Sequence, residues 1–492
     1  MGNPITIVVF GSTGDLMRRK LVPAFLELWS RGVLNEECLI VGVGRRLFES
    51  DAFRVFLGEA MNEEQRAILW RIPLRYFMGD ITSIDGLQGL RVLLEKHEPR
   101  SCMGRMFYLA TSYTYFPTIV AALAREGLNE LRCGWTRVLF EKPFGQSFAS
   151  AGELESGVHK VFSEDAIYRI DHYLAKEGAR LFLAAKESCL ALRKILSRAY
   201  VSRIEIIADE SIGVGDRLAY YQTSGAVKDM IQSHLLQLAA LVISEPATWS
   251  AEAIHRAKLR SLRSLKLGDH STHLLGQYAS FAQETGIQGV EKEGVETYAR
   301  LTLQSTLPSW SGVPIIVRSG KKLSQKRTEI IIHFRPGNEG AGELHLQFHP
   351  IPHIEDFETE RISDSRGAQK SKISDEPQSP LSNRFENPRR TSKLESYSKL
   401  SIEFTFTHKI PPALQSAADE VAVFARSWKP CHESEDGYSF LLEQAIAGDK
   451  RWFVTQQELE VCWQIVEEFE RMRLKIPLKV HADGSEAEAI GV

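Results

Sequence analysis

Residues 5–29 constrain the fold of this 492-residue chain more than any other stretch. Ile5-Thr-Ile-Val-Val-Phe10 is a short, nearly continuous apolar run, the pattern of a strand buried on both faces. Gly11-Ser-Thr-Gly14-Asp15-Leu16 follows, and Leu21, Phe25 and Leu28 then recur at helical spacing through Trp29. Strand, glycine turn and helix in that order open a doubly wound dinucleotide-binding fold. Gly11, Ser12, Thr13, Gly14, Asp15 and Leu16 are then the candidate cofactor loop, at a helix N-terminus that favours phosphate. The loop has two glycines where the common G-x-G-x-x-G has three, so spacing alone also fits an ordinary strand-to-helix turn.

A second apolar run, Leu39-Ile-Val-Gly-Val43, ends in Gly44-Arg45-Arg46. NAD-specific folds place an acidic residue at the end of this strand to hold the ribose hydroxyls. Two arginines suit a 2′-phosphate instead, which makes Arg45 the candidate for NADP selection. On position alone, a solvated basic turn is the other reading. Met106–Ala110 and Arg137–Phe140 read as further central strands, the second leading into Glu141-Lys142-Pro143-Phe144-Gly145.

The length allows two or three domains. Hydrophobic residues make up 43% and charged residues 25%, as in soluble globular proteins. A net charge of −3 leaves no basic footprint for nucleic acid. The six cysteines are scattered, with no C-x-x-C pair, which suits reduced thiols in a cytoplasmic protein and gives no zinc-type cluster. No run of about 18 apolar residues predicts a membrane span, and no secretory signal is visible at the N-terminus. Met1 to Thr6 fits the short myristoylation pattern, but a strand starting at Ile5 leaves no free lipid anchor.

Arg169-Ile-Asp-His-Tyr-Leu-Ala-Lys-Glu177 gathers a carboxylate, an imidazole, a phenol and an ammonium. Leu181, Phe182 and Ala185 follow at helical spacing, which predicts a helix start suited to an anion. His172 and Lys176, four apart, would share a helical face and meet one phosphate. A capped, solvated first turn with Asp171 as N-cap is the alternative on spacing alone. The nonapeptide resembles the signature R-I-D-H-Y-L-G-K-E of the glucose-6-phosphate dehydrogenase family, with only Ala175 departing. The glycine loop resembles that family's G-A-S-G-D-L, and Glu141 to Gly145 matches a family motif unaltered. Tyr220-Tyr-Gln-Thr-Ser-Gly225-Ala-Val-Lys-Asp229-Met-Ile-Gln232-Ser233-His234-Leu-Leu-Gln237 is similar to Y-Y-D-x-x-G-A-L-R-D-M-x-Q-N-H-L-L-Q. Arg318-Ser-Gly-Lys321 resembles the family's R-x-G-K loop.

This resemblance implies an α/β Rossmann dinucleotide-binding domain over residues 1–168. An α+β domain with a large, mainly antiparallel sheet would follow over 169–492. The implied reaction oxidises D-glucose 6-phosphate at C1 to 6-phosphoglucono-1,5-lactone with hydride transfer to NADP, the first step of the oxidative pentose phosphate pathway. It implies His234 as the base, Asp171 as its carboxylate partner, and Lys142 between cofactor and sugar. His172, Tyr173 and Lys176 would hold the phosphate, Glu210 and Asp229 the sugar hydroxyls, with Lys321 and Lys326 as basic substrate residues. A cytoplasmic homodimer or homotetramer is implied as well, with no metal, nucleic acid or membrane. On an ideal helix Asp229 and His234 lie about 140° apart, so sharing one ligand demands a broad face.

The chain departs from the family elsewhere as well. Thr111 to Phe116 lacks the usual Pro-Pro pair, and Ser233 replaces an asparagine. Glu403 and Thr405 stand where a strand carries a sugar-contacting glutamine. Residues 356–396, polar and without a period, read as a disordered insertion, and 483–492 as a frayed tail. The departures at Ser233 and Thr405 leave open a dehydrogenase of another sugar phosphate. A non-catalytic NADP-binding protein is the further alternative, against which Lys142, Asp171 and His234 speak together.

Overall fold

The computed structural model describes residues 4–98, 103–131, 133–284, 294–336, 342–348, 402–406, 411–428 and 437–490. The expected insertion at 356–396 lies outside the described residues. β1 (Ile5–Phe10), β2 (Leu39–Gly44), β3 (Leu74–Met78), β4 (Met103–Leu109), β5 (Gly134–Phe140) and β6 (Ile167–Ile170) form the first sheet. They pair in the order β6-β5-β4-β1-β2-β3, all parallel. That order reverses between β1 and β4, where such sheets bind their ligands beyond the strand carboxyl ends. Every residue of β1 and β2 is buried, because helices cover both faces of a parallel sheet.

β7 (Val201–Asp209), β8 (Leu265–Leu267), β9 (Leu274–Tyr278), β10 (Tyr298–Ser305), β11 (Pro314–Gly320), β12 (Arg327–Phe334), β13 (Gly342–Gln347) and β14 (Ile402–Phe406) belong to the second sheet. β15 (Phe453–Val454) returns to the first sheet, antiparallel to β6, and β16 (Leu478–His481) closes the second. The second sheet runs β14-β13-β12-β7-β11-β10-β9-β16, with β8 beside β10. Its pairs are antiparallel except β7 with β11 and β9 with β16. Alternation is clean in β13, where Leu344 and Leu346 are buried while Glu343 and His345 are partly exposed.

β6 crosses the boundary drawn at residue 168, and Arg169 within it joins distant parts of the chain. Its guanidinium is 1% exposed and donates to Glu155 (2.8 and 2.5 Å), to Glu164 (2.9 Å) and to the Val454 carbonyl (3.3 Å). A buried cation needs such partners to offset its desolvation. The first residue of the signature is thus structural.

Three expectations fail. The signature does not run into one continuous helix: a single turn, His172–Ala175, ends at Lys176, whose ψ of 148° is extended, and a second helix, Glu177–Ser188, starts afresh. The tail does not fray over its described residues, 483–490. The Gly484 amide donates to the Lys322 carbonyl (2.8 Å), Ser324 donates to Ser485 (3.0 Å), and Ala487 and Ile490 are buried against Tyr298 and Leu323. Sequence composition rich in Ala, Glu and Gly hid two apolar residues that the sheet edge receives. Lastly, Cys38, Cys189 and Cys462 are free and buried, but Cys133 is disulfide-bonded rather than reduced. Among the described residues no helix is long and apolar enough to cross a membrane.

Candidate active site

The candidate residues collect at strand carboxyl ends. After β1, Gly11 has φ +79°, and a Cβ there would lie 2.5 Å from the Ala110 carbonyl oxygen beyond β4. Only glycine fits this close crossing at the switch point. The Gly11 and Ser12 amides and the Ser12 hydroxyl all donate to the Val43 carbonyl at 3.1 Å, and the Gly14 amide donates to Gly11. The turn is therefore held by its own bonds, with Asp15 and Leu16 starting the helix that follows. Beyond β2, Arg45 is exposed, and Arg46 and Arg18 place their guanidiniums 5.8 and 5.0 Å from the centre of the Phe56 ring. A tight glycine cradle with cationic groups one strand away fits a phosphorylated dinucleotide.

β6 leads into Asp171, and the helix carrying His234 passes over it. His234 Nδ1 lies 2.6 Å from Asp171 Oδ1, and each residue is 1% exposed. The Asp171 oxygen also accepts the Tyr173 amide (2.9 Å), so it caps the short turn and orients the imidazole at once. His234 Nε2 and Asp171 Oδ2 are buried without a partner among the described residues. Burial drives the His234 pKa well below its usual value, with Lys142 and Lys176 acting in the same direction. Burial also pushes Asp171 up to about 6, against the opposing pull of nearby cationic groups. The imidazole is thereby neutral near pH 7, with Nδ1–H given to Asp171 and Nε2 free to accept a proton.

Tyr173 stacks on the His234 ring at 4.5 Å, and His172 meets it edge-on at 4.6 Å. Lys176 Nζ sits 4.0 Å from the Tyr173 ring centre. The three candidate phosphate residues therefore do converge, although not by sharing a helical face. Burial, His234 and the nearby lysines lower the His172 pKa well below its usual value. Asp171, His172 and His234 bring metal-ligating atoms within 4.8 Å of one another, but Lys142 and Lys176 beside them favour an anion over a cation.

Asp229 is 1% exposed and caged by cations. Lys142, at the carboxyl end of β5, donates to its Oδ1 (3.1 Å) and carbonyl (3.0 Å), Arg217 to Oδ1 at 3.2 Å and Tyr220 at 3.4 Å. Burial opposes ionisation, yet Lys142, Arg217 and Lys321 outweigh it and hold the carboxyl well below the usual range. Glu210 and Lys321 form an ion pair that the sheet dictates. β7 and β11 are parallel neighbours with Asp209 opposite Gly320, so the next residue of each emerges at the same place.

Asp229 and His234 reach one site because residues Val227–Leu235 are wound with i→i+5 bonds, as a π-helix. Residues five apart then lie on one face, where an α-helix would turn them away from each other. Ser233 donates its hydroxyl to the Lys228 carbonyl across this wide turn (3.1 Å). The departure at Ser233 is thus absorbed by backbone. Thr405 lies on the edge strand β14 opposite Glu343. Lys326 is exposed ahead of β12. Tyr220, the first residue of the matched segment, and Arg217, three residues before it, are not singled out in the sequence, and no spacing rule points to them.

Two family profiles match in tandem: the glucose-6-phosphate dehydrogenase NAD-binding domain over residues 8–180, and its C-terminal domain over 184–349. Glucose-6-phosphate 1-dehydrogenase 2 of Mycobacterium bovis is 30% identical over 488 residues, covering 95% of this chain and 88% of that protein. The Bacillus subtilis glucose-6-phosphate 1-dehydrogenase is 33% identical over 348 residues, covering 67% of this chain and 71% of its own. Among solved structures, glucose-6-phosphate 1-dehydrogenase from Mycobacterium avium superposes with a TM-score of 0.72 at 25% identity, covering 99% of this chain and 95% of that one. A glucose-6-phosphate dehydrogenase in complex with glucose-6-phosphate gives 0.76 at 23% identity, over 99% and 96% of the two chains. With its cofactor cradle, buried His–Asp pair and matching relatives along its length, the chain belongs to the glucose-6-phosphate dehydrogenase family.

Proposed function

We infer that this chain oxidises D-glucose 6-phosphate at C1 to the 1,5-lactone, with NADP as hydride acceptor. The observation that carries the reading is the buried His234–Asp171 pair at 2.6 Å, with Nε2 unpartnered. A neutral imidazole accepts the C1 hydroxyl proton at Nε2, and the Asp171 carboxylate on the other side steadies the imidazolium as it forms. Bound NADP supplies the acceptor for the C1 hydride. Gly11 to Leu16 and Arg45 would hold that cofactor, and Lys142 would lie between it and the sugar.

His172, Tyr173 and Lys176 receive the sugar phosphate, while Asp229 and Glu210 accept hydrogen bonds from ring hydroxyls. Asp229 stays ionised throughout, which suits an acceptor and not an acid. Lys321 neutralises Glu210 beside the sugar, and Lys326, from its exposed turn, contributes charge at the entrance. A homodimer or homotetramer in the cytoplasm belongs to the same reading, supported by the family resemblance. A steady-state assay of NADPH formation decides it: turnover with glucose 6-phosphate, and little with other hexose phosphates, is the expected result. Faster turnover of another sugar phosphate, or none with any, would overturn the assignment.

A further inference from the structure

We propose that Glu296 and Lys186 are positioning residues that pin the two ends of the helix carrying Asp229 and His234. This rests on His234 being the base. The helix runs without interruption through residues 227–243, π-wound to Leu235 and α-helical from Leu236–Ile243. A π-wound segment leaves room to relapse into tighter α-turns, and such a change would swing Asp229 and His234 apart. Something must therefore fix both ends.

At the first end, Glu296 Oε1 accepts the Val227 amide (3.3 Å) and the Glu296 carbonyl accepts the Ala226 amide (3.0 Å). Its other oxygen pairs with Arg473 Nη2 at 2.6 Å. The approach is so close that a Cβ on Gly225 would fall 2.2 Å from Glu296 Oε1, and Gly225 itself has φ +56°. At the other end, Lys186 Nζ donates to three carbonyls, Leu241 (2.9 Å), Val242 (3.1 Å) and Ser244 (2.6 Å). Trp310 Nε1 donates to the Ile243 carbonyl (3.0 Å). Glu296 and Lys186 are 5% and 3% exposed. A carboxylate at the amide end and an ammonium at the carbonyl end both oppose the helix dipole. Neither residue touches the dyad, so each acts through the helix alone. The dyad needs this, because its 2.6 Å contact joins the helix to a different element, the end of β6.

The test replaces Glu296→Ala and Lys186→Met and compares two readouts with wild type. The first is KM for glucose 6-phosphate, which depends on Asp229. The second is the deuterium isotope effect on kcat with 1-deuterated glucose 6-phosphate, which reports how far hydride transfer limits turnover. Displacement of the helix should lower kcat about tenfold or more, raise KM and enlarge the isotope effect together. A merely structural role lowers the active fraction, so kcat falls while KM and the isotope effect stay at wild-type values, and that result overturns the proposal. Should Glu296→Ala not fold, Arg473→Met, at a partly exposed position, tests the same pin by the same two readouts. A His234→Ala enzyme with wild-type turnover would instead defeat the functional reading itself.

Discussion

At the residue scale, the dyad makes the sharpest prediction. Loss of a general base costs about 10²–10⁴ in rate, so His234→Ala should lower kcat by at least two orders of magnitude with little change in substrate affinity. The pH profile follows from the direction of the shifts. His234 is held neutral above the acid range, so activity should be flat above about pH 7. Asp171, raised by burial to about 6, takes up a proton as the pH falls through that value, and the pair loses the charge that steadies the imidazolium. kcat/KM should fall on the acid side near pH 6, and Asp171→Asn should remove that limb along with most activity. An unshifted limb in the variant would assign it to another group. Arg45 makes an independent prediction. One charge-assisted bond contributes about 1.5–3 kcal/mol, so Arg45→Ala should weaken NADP about tenfold or more and leave NAD nearly unchanged. Direct titration of both cofactors checks it, and equal losses would show that the guanidinium does not read the 2′-phosphate.

At the element scale, the glycine turn and the π-wound helix solve the same problem of close approach. Gly11 lets β1 turn against the Ala110 carbonyl. A left-handed conformation costs a residue with a Cβ about 1–2 kcal/mol, before the clash at 2.5 Å is counted. Gly11→Ala should therefore lower the unfolding midpoint and abolish cofactor binding in the same protein. Full cofactor affinity in a stable variant would mean that the turn tolerates rearrangement. The parallel neighbours β7 and β11 do for Glu210 and Lys321 what the π-wound segment does for Asp229 and His234. Each pair meets because the backbone sets its spacing, and the side chains then supply the charge.

At the scale of the whole molecule, the C-terminal tail belongs to the second sheet. Ile490 is 4% exposed, and burying such a side chain contributes about 1.5–3 kcal/mol. A chain ending at residue 482 should have a lower denaturant midpoint than the full chain, whereas a frayed tail would leave it unchanged. The truncation also removes the bonds from Gly484 and Ser485 to the loop after Lys321, so KM for glucose 6-phosphate should rise with the loss of stability. The sequence by itself determined four strands of the first sheet, β1, β2, β4 and β5, because a strand buried between helix layers reads as an apolar run, whereas β3 and β6 went unread. It also singled out Asp171, His172, Tyr173, Lys176, Asp229 and His234 as candidates, since they sit in two contiguous segments whose order of residue types is rarely reached by chance. The tertiary structure alone decided how those segments meet. The break at Lys176 and the i→i+5 winding that turns Asp229 and His234 to one face go against local periodicity, and the cage of Asp229 adds Lys142, 87 residues away, to its nearer neighbours Arg217 and Tyr220. Local periodicity assumes an ideal helix, and here the Asp171–His234 contact and the packing of the helix against β7 and β11 decide which residues meet.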